Sequence, residues 1–307
     1  MPLRFKLRTA QSLPASKPAN ATDFRGAEEL RLSAASFREL SALITRTLGI
    51  KMPDSKLPML RSRLQRRLRA LGFATLEAYV AFLLESPEGE DERQAFVDAV
   101  TTNKTDFFRE ARHFDYLSAT GLPALDPGGG QPWQLRAWCA GCSSGEEPYT
   151  LAMVLRQFGE VRGSFDFGIL ATDISASMLA RGREAIYPHE RVEPVPTELR
   201  RRYLLRSRAG GKDLVRIVPA LRARVQFHPL NFMDADYPVR DQFELIFFRN
   251  VAIYFDRPTQ QRVVERLCRH LKPGGYLFVG HSESLLGLGL PLRMVASAVY
   301  QKPACIL

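Results

Sequence analysis

Three acidic side chains stand where a ligand would meet the ends of predicted strands. Glu146 and Glu147 begin a helix that follows a buried strand at residues 133–139 and a turn of small residues at 140–145. Asp173 ends the next predicted strand, FDFGILATDI. Carboxylates at a helix start would repel a pyrophosphate, but they suit a cationic or hydroxyl-bearing ligand. S-adenosylmethionine offers a sulfonium, an ammonium and a ribose diol, so this pattern favours it as the ligand.

The elements that must position these acids form a strand, a glycine-containing turn and a helix. Apolar residues recur at helical spacing after the turn, at Leu151, Val154, Leu155 and Phe158. This succession is typical of a doubly wound α/β sheet, in which an acid after the second strand can bind two ribose hydroxyls. The dinucleotide pattern G-x-G-x-x-G is absent. The succession also occurs in α/β connections without a ligand, and that alternative stays open here.

Composition limits the classes of protein to consider. The chain has 307 residues, a net charge of +10, 45% hydrophobic residues and four cysteines. It contains no secretory signal, no apolar run of about 18 residues, and too few cysteines for a disulfide framework. Cys139 and Cys142 form a C-x-x-C within the strand end and turn, where we interpret them as small packing residues. We therefore expect a cytoplasmic protein.

The first hundred residues predict a basic tail and a helical domain. Residues 1–30 have no hydrophobic period and predict a disordered tail, whereas residues 31–100 predict four helices. The second helix has leucines on one face and Arg63, Arg66 and Arg69 on the other. Six bases and no acid lie between residues 56 and 69. Because the leucines anchor this helix, the arginines are expected to be free, either as a solvated face or as a recognition surface.

The remaining chain predicts a bridging segment, residues 101–125, and an α/β domain, residues 126–307. In the bridge, Asn103, Thr105 and Arg109 surround two phenylalanines and either cap a helix or lie over the ligand cleft. Residues 191–224 interrupt the α/β alternation and predict a basic β-hairpin insertion that turns at Ala-Gly-Gly. The segment LRMVASAVYQK predicts one closing strand.

Five segments together carry a resemblance: TTNKTDFFRE, GCSSGEEPYTLA, ATDIS, FRNVAIYFD and LKPGGYLFVGHSE. In this order, with the basic insertion, they resemble the CheR family of S-adenosylmethionine-dependent methyltransferases of chemotaxis receptors, over about residues 34–302. The resemblance implies an α/β fold: a Rossmann-like class I methyltransferase sheet, an N-terminal helical domain and a small inserted antiparallel β-subdomain. It also implies methyl ester formation on receptor glutamates. The implied cofactor contacts are Asn103, Thr105, Arg109, Glu147, Asp173, Asn231, Phe232, Arg249 and Asn250.

A glutamate substrate needs no general base, because its carboxylate has a pKa of about 4.3 and is ionised at neutral pH. Catalysis then depends on alignment and on exclusion of water. We expect Arg109 to orient the carboxylate, and Tyr254 to donate a hydrogen bond or to pack near the methyl group. For His281, in the GHSE segment, a structural role is favoured over catalysis.

The expected partners are the cytoplasmic helices of methyl-accepting receptors, recognised by Arg63, Arg66 and Arg69. In some family members the β-subdomain also holds a receptor C-terminal peptide. We expect a monomer that uses no metal and no nucleic acid. Two alternatives stay open: a nucleic-acid methyltransferase, disfavoured because the tip at residues 249–252 lacks the prolines typical of base-amine methylation, and a non-catalytic sensor of S-adenosylmethionine.

Overall fold

The computed structural model describes residues 31–207, 213–240 and 242–304. The predicted tail, residues 1–30, and the predicted Ala-Gly-Gly turn lie outside the described residues. Four helices come first along the chain: α1 (Ala34–Leu48), α2 (Leu57–Leu71), α3 (Leu76–Glu85) and α4 (Gly89–Val100). The side chain of Ser33 caps α1 by accepting from the Ser36 N–H, and Gly49 ends it with a φ of 69°. From the predicted leucine face of α2, Leu60, Leu64 and Leu68 are buried in a core of their own, whereas Leu71 at the helix end is 43% exposed.

A seven-stranded sheet forms the body of the molecule. Its strands are β1 (Trp133–Ala140), β2 (Phe165–Asp173), β6 (Val225–Pro229), β7 (Phe243–Phe248), β8 (Leu271–Val279), β9 (Arg293–Ala296) and β10 (Val299–Gln301). The strand order is β6-β2-β1-β7-β8-β10-β9. The pairs from β6 to β8 are parallel, and β10 pairs antiparallel with both β8 and β9. The fold class predicted from the sequence is therefore confirmed.

Helices cover both faces of this sheet, because its strands carry apolar side chains on both sides. The remaining helices are α5 (Arg112–Tyr116), α6 (Leu122–Leu125), α7 (Glu146–Arg162), α8 (Ala176–Glu184), α9 (Thr197–Tyr203), α10 (Pro219–Arg222) and α11 (Arg257–His270). One core, which includes Leu135 and Phe247, packs under α7. The other includes Trp138 and Phe248 and packs under α11.

The strand order reverses between β1 and β7. From β1 the chain proceeds outward to β2 and β6, and it then returns to the other side of β1 to form β7 and β8. Ligands of doubly wound sheets bind in the crevice that such a reversal leaves at the carboxyl ends of the strands. The turn after β1 and the tip after β7 both lie at this end.

The insertion differs in part from its prediction. It contains a three-stranded antiparallel sheet with the order β3-β5-β4, made of β3 (Ile186–Pro188), β4 (Leu204–Arg206) and β5 (Leu214–Ile217). β4 and β5 form the predicted hairpin. The third strand, β3, precedes the predicted range of 191–224 and was missed because a three-residue strand that contains Pro188 has almost no periodicity.

The closing segment also differs from its prediction. It was predicted as one strand, but β9 and β10 form a hairpin, with Ala298 at a φ of 57° in the turn between them. The sequence ASA lacks the glycine or asparagine that usually marks such a turn, which explains the error. Among the described residues, no helix combines the length and apolarity needed to cross a membrane.

Candidate active site

A cavity of about 960 Å³, partly open to solvent, lies at the carboxyl ends of β1, β2 and β7. Ten of the residues singled out in the sequence line it. They are Asn103, Thr105, Arg109, Glu147, Asp173, Asn231, Phe232, Arg249, Asn250 and Tyr254. The cavity thus brings together residues that lie far apart in the chain, from Asn103 to Tyr254. Each of them follows a strand of the same sheet or belongs to the bridge that crosses over it.

Asp173 anchors the acidic side of the cavity. One carboxylate oxygen accepts the Ser143 N–H at 2.8 Å, and the other accepts the Ser175 N–H at 2.9 Å. Burial raises the pKa of Asp173, and these backbone donors oppose the rise. Each oxygen keeps acceptor capacity beyond its one backbone bond. Asp173 thus fixes the turn after β1 and still presents lone pairs toward the cavity.

Gly141 lets the backbone turn close to the cavity. Its φ is 92°, a left-handed value that favours glycine, and a Cβ here would lie 2.5 Å from the Val251 side chain. Its N–H donates to the Thr172 carbonyl at 2.8 Å. A side chain at this position would fill the space between the β1 turn and the β7 tip, so the glycine keeps this part of the cavity open.

Glu147 and Arg249 form a buried ion pair at the floor of the site. The Arg249 Nε lies 3.0 Å from a Glu147 carboxylate oxygen, although the N–H direction is not aligned for a hydrogen bond. The side chains are only 2% and 12% exposed, respectively. Burial raises the pKa of Glu147, and the Arg249 charge lowers it. Loss of either partner would leave the other charge mostly buried and without a counter-ion.

The two Nη groups of the Arg249 guanidinium hold the bridge. One Nη donates to the Arg109 carbonyl, and the other lies 3.2 Å from His113 Nδ1. The guanidinium also lies 5.4 Å from the centre of the Phe114 ring. Arg249 was named from the sequence as a cofactor contact. It lines the cavity, but both of its Nη groups also contact the bridge, at His113 and at the Arg109 carbonyl.

The bridge bends sharply where it passes the cavity. Phe108 and Glu110 have φ values of 51° and 56°, so they place Arg109 between two left-handed residues. Arg109 is half-buried, and its guanidinium donates one bond, to the Lys104 carbonyl at 2.8 Å. Asn103 is fixed from the other side, because its carbonyl accepts from the Ser143 hydroxyl at 3.0 Å. The interpretation of this segment as a simple helix cap is therefore wrong, and it lies over the cleft.

Sequence reasoning missed Glu283, the acid of the GHSE segment. Its carboxylate accepts the backbone N–H groups of Gly280 at 2.6 Å, Asn250 at 2.8 Å and Ile253 at 3.1 Å. Burial raises the pKa of Glu283, against these donors. Asn250, with a φ of 59°, and Tyr254 both belong to the tip after β7. Because Glu283 accepts the N–H groups of Asn250 and Ile253, it holds this tip in shape.

Glu110, His113 and His281 place potential metal-ligand atoms within 4.8 Å of one another. Burial lowers the pKa of His113 to about 4, and the Arg249 charge adds to this effect. The neutral imidazole faces a guanidinium donor, so its Nδ1 lone pair is directed at Arg249. A divalent cation would have to displace that contact beside a buried positive charge, and the geometry therefore does not favour a metal.

The N-terminal helices form one wall of the cavity. Leu48 and Ile50 line it beside the predicted residues. The Asn231 side chain donates to the Thr47 carbonyl at 2.7 Å, and the Tyr254 carbonyl accepts the Lys51 N–H at 2.9 Å. The site is thus closed by contacts between the helical part of the chain and the tips after β6 and β7.

The three arginines of α2 do not share one environment. Arg66 and Arg69 are exposed, as expected. Arg63 is half-buried and donates to the Val100 carbonyl and, at 2.7 Å, to the Thr102 hydroxyl. The expectation that these arginines need not be structural is wrong for Arg63, because periodicity identifies the face of a helix but not what packs against that face.

The fold and the cavity define a class of protein. A Rossmann-like sheet, a glycine turn after its first strand, an acid after its second strand and a cleft at the strand reversal together form the binding site of a class I S-adenosylmethionine-dependent methyltransferase.

Comparison with known proteins gives the family. Residues 103–300 match the CheR methyltransferase SAM-binding domain, and residues 35–101 match the CheR methyltransferase all-alpha domain. The chain therefore belongs to the CheR family of chemotaxis methyltransferases.

Curated relatives support this placement. Chemotaxis protein methyltransferase 2 of Pseudomonas aeruginosa is 37% identical over 94% of this chain and 99% of its own length. The chemotaxis protein methyltransferase of Escherichia coli is 40% identical over 89% of this chain and 92% of its own. That of Borreliella burgdorferi is 39% identical over 86% and 94%, respectively. The chain is thus similar to these proteins over nearly their whole lengths.

Proposed function

We propose that this protein transfers the methyl group of S-adenosylmethionine to glutamate side chains of chemotaxis receptors, forming methyl esters. One observation carries the proposal. The same cavity brings two acids suited to a cationic, hydroxyl-bearing cofactor, Glu147 and Asp173, together with a guanidinium and a phenol suited to a carboxylate substrate, Arg109 and Tyr254. Family membership supports the same reaction.

The residues of the cavity fit the cofactor. The cavity is concave and combines apolar and aromatic lining with a few charged and amide groups, as small-molecule sites do. In our proposal the free lone pairs of Asp173 accept the ribose hydroxyls, and the acidic floor around Glu147 complements the positive charge. Asn231 and Phe232 supply an amide and an aromatic ring at the wall beneath α1. When bound, S-adenosylmethionine supplies an electrophilic methyl group on a sulfonium.

The protein residues act on the substrate carboxylate by positioning it. A receptor glutamate is already ionised at neutral pH, since its pKa is about 4.3. Arg109 keeps most of its donors after the one bond to the Lys104 carbonyl, and a guanidinium matches a carboxylate with two parallel bonds. Tyr254, across the cavity, supplies a hydroxyl or an aromatic wall. Attack by the carboxylate oxygen forms the ester bond as the sulfonium–methyl bond breaks, and no proton is transferred.

Substrate docking is proposed on the exposed side of α2. Arg66 and Arg69 lie near the end of this helix and are exposed. A receptor helix that offers several glutamates presents a negative stripe, which a row of bases can follow. In this proposal the enzyme works in the cytoplasm, beside the receptor helices.

The β-subdomain is proposed as a second docking surface, for a receptor C-terminal peptide. β4 lies at the edge of the three-stranded sheet, and Leu205 on it is 51% exposed. An edge strand can accept an extended peptide as an additional strand. The basic side chains that surround it favour an acidic peptide.

The proposal is tested by incubating the full chain with S-adenosylmethionine carrying a labelled methyl group and a receptor cytoplasmic fragment. Transfer to the receptor, and release of the label in mild base, is the expected result. The variant Arg109→Ala should lower turnover more than it lowers cofactor affinity, as kinetics and calorimetry together measure. A base-stable label, or transfer to DNA or RNA instead of receptor, would contradict the proposal. Cofactor binding without transfer would identify a sensor.

A further inference from the structure

Arg63 supplies a positive charge at the C-terminus of α4, where this helix has no basic residue of its own. The α4 helix carries Glu90, Asp91 and Glu92 in its first turn, but no base in its last turn. The carbonyls of a helix C-terminus carry partial negative charge and lack intrahelical partners. Arg63, from α2, donates to the last helical carbonyl, that of Val100. The arginine thus caps a helix to which it does not belong.

The capped helix runs directly into the cavity wall. Thr102, which receives the second bond of Arg63 at 2.7 Å, is adjacent to Asn103. Residues Thr101 to Lys104 all line the cavity, and the Asn103 carbonyl is bonded to the Ser143 hydroxyl of the β1 turn. A displacement of the end of α4 would therefore move Asn103 relative to that turn.

Arg63 also lies within electrostatic reach of Tyr254, a residue of the cavity wall. Burial lowers its pKa, and the nearby Tyr254 phenol opposes this shift. Lys56, the residue directly before α2, places its ammonium 5.9 Å from the centre of the Tyr254 ring. The beginning of α2 therefore packs at the entrance of the site, whereas Arg66 and Arg69 point to solvent.

We propose that Arg63 is a positioning residue for the cofactor site and that only Arg66 and Arg69 dock the substrate. In this arrangement α2 has two functions: its exposed arginines bind the receptor, and Arg63 holds the segment Thr101–Asn103 in the shape that the cofactor needs. The part of this inference that assigns docking rests on the proposed function, but the part that assigns cofactor positioning does not.

The test compares Arg63→Ala with the matched variant Arg66→Ala, which removes the same side chain one turn away on the exposed face. Cofactor affinity is measured by calorimetry on the full chain without receptor, so the result is independent of which substrate is methylated. We expect Arg63→Ala to weaken binding of S-adenosylmethionine by about 5-fold or more, since two bonds from a charged donor are lost. Arg66→Ala should leave the dissociation constant unchanged. Thr102→Val, which removes one acceptor and keeps the charge, should weaken binding by about 2-fold.

Kinetics with a receptor fragment separate positioning from docking. Arg66→Ala should raise the KM for receptor, more so at high salt, with little change in kcat. At saturating receptor, Arg63→Ala should lower kcat/KM for S-adenosylmethionine, because the cofactor is bound poorly. Arg63→Lys should recover part of the cofactor affinity. The inference is overturned if Arg63→Ala and Thr102→Val both bind the cofactor with native affinity. It is also overturned if Arg63→Ala raises only the receptor KM, as Arg66→Ala does. If Arg63→Ala does not fold, Thr102→Val alone decides the question.

Discussion

Replacing Arg249 by methionine is expected to destabilise the protein by about 4 kcal/mol. Methionine preserves most of the side-chain length and removes the charge. The substitution leaves Glu147, only 12% exposed, without its counter-ion, and removes the contacts to the Arg109 carbonyl and to His113. Loss of one partner of a buried ion pair costs about 3–5 kcal/mol. A domain with a stability of about 5–15 kcal/mol remains folded after this loss, so the effect can be measured.

The assay is equilibrium unfolding in urea. Arg201→Met is the matched control, because Arg201 is 73% exposed and its ion pair, with Glu198 one turn away, is also exposed. That control should change stability by less than about 0.5 kcal/mol. In a Glu147→Gln background, Arg249→Met should cost about 2 kcal/mol less than in the native chain, because the two charges are coupled. The pKa of His113, held at about 4 by burial and by Arg249, should rise in the variant when it is followed by NMR.

Two results would refute this reasoning. A loss below about 1 kcal/mol for Arg249→Met would mean that the guanidinium is hydrated or that Glu147 is protonated in the native state. Full additivity of the two substitutions would mean that the 3.0 Å ion pair contributes nothing to folding. Either result would return Arg249 to the role of a simple cofactor contact.

Three further predictions concern the cofactor, acid stability and docking. Asp173→Asn should weaken S-adenosylmethionine binding by about 10-fold or more in calorimetry. The amide turns a donor toward one of the two backbone N–H groups and lacks the negative charge. Native affinity would remove Asp173 from the site. Unfolded histidine has a pKa of about 6.5, so buried His113 stabilises the fold fully above that pH, and up to about 3 kcal/mol should be lost as pH falls from 6.5 toward 4. His113→Asn should make the urea midpoint less dependent on pH over that interval. An unchanged dependence on pH would mean that His113 is not the cause of the acid destabilisation. Replacing β4 and β5 by a short linker should weaken receptor pull-down but leave cofactor affinity unchanged, whereas unchanged pull-down would count against docking at this sheet.

Much of the site could be predicted from the sequence because its residues are adjacent to strands with strong patterns. Asp173 and the tip at Arg249 and Asn250 follow apolar strands, and in a parallel sheet the carboxyl ends of such strands meet at one edge. Glu147 follows a turn whose glycine the structure requires at a φ of 92°. For these residues, the strand pattern alone implies the location.

Other features depend on tertiary contacts that no local pattern contains. Arg63 has the helical spacing of a surface arginine. It is half-buried only because the end of α4 packs against it, at Val100, 37 residues later in the chain. Glu283 is one acid in a polar loop, and its role appears only when the β7 tip folds over it. β3 is too short to show a period, and it becomes a strand because β5 pairs with it.

The central claim is tested most directly by locating the methyl group on the substrate. A receptor cytoplasmic fragment is incubated with this protein and S-adenosylmethionine, digested, and mapped by mass spectrometry before and after mild base. The reasoning predicts methyl groups on glutamate side chains, loss of these groups in base, and no modification of a fragment in which the modified glutamates are replaced by glutamine. Modification that persists in base, or that occurs equally on the glutamine-substituted fragment, would contradict ester formation on glutamate.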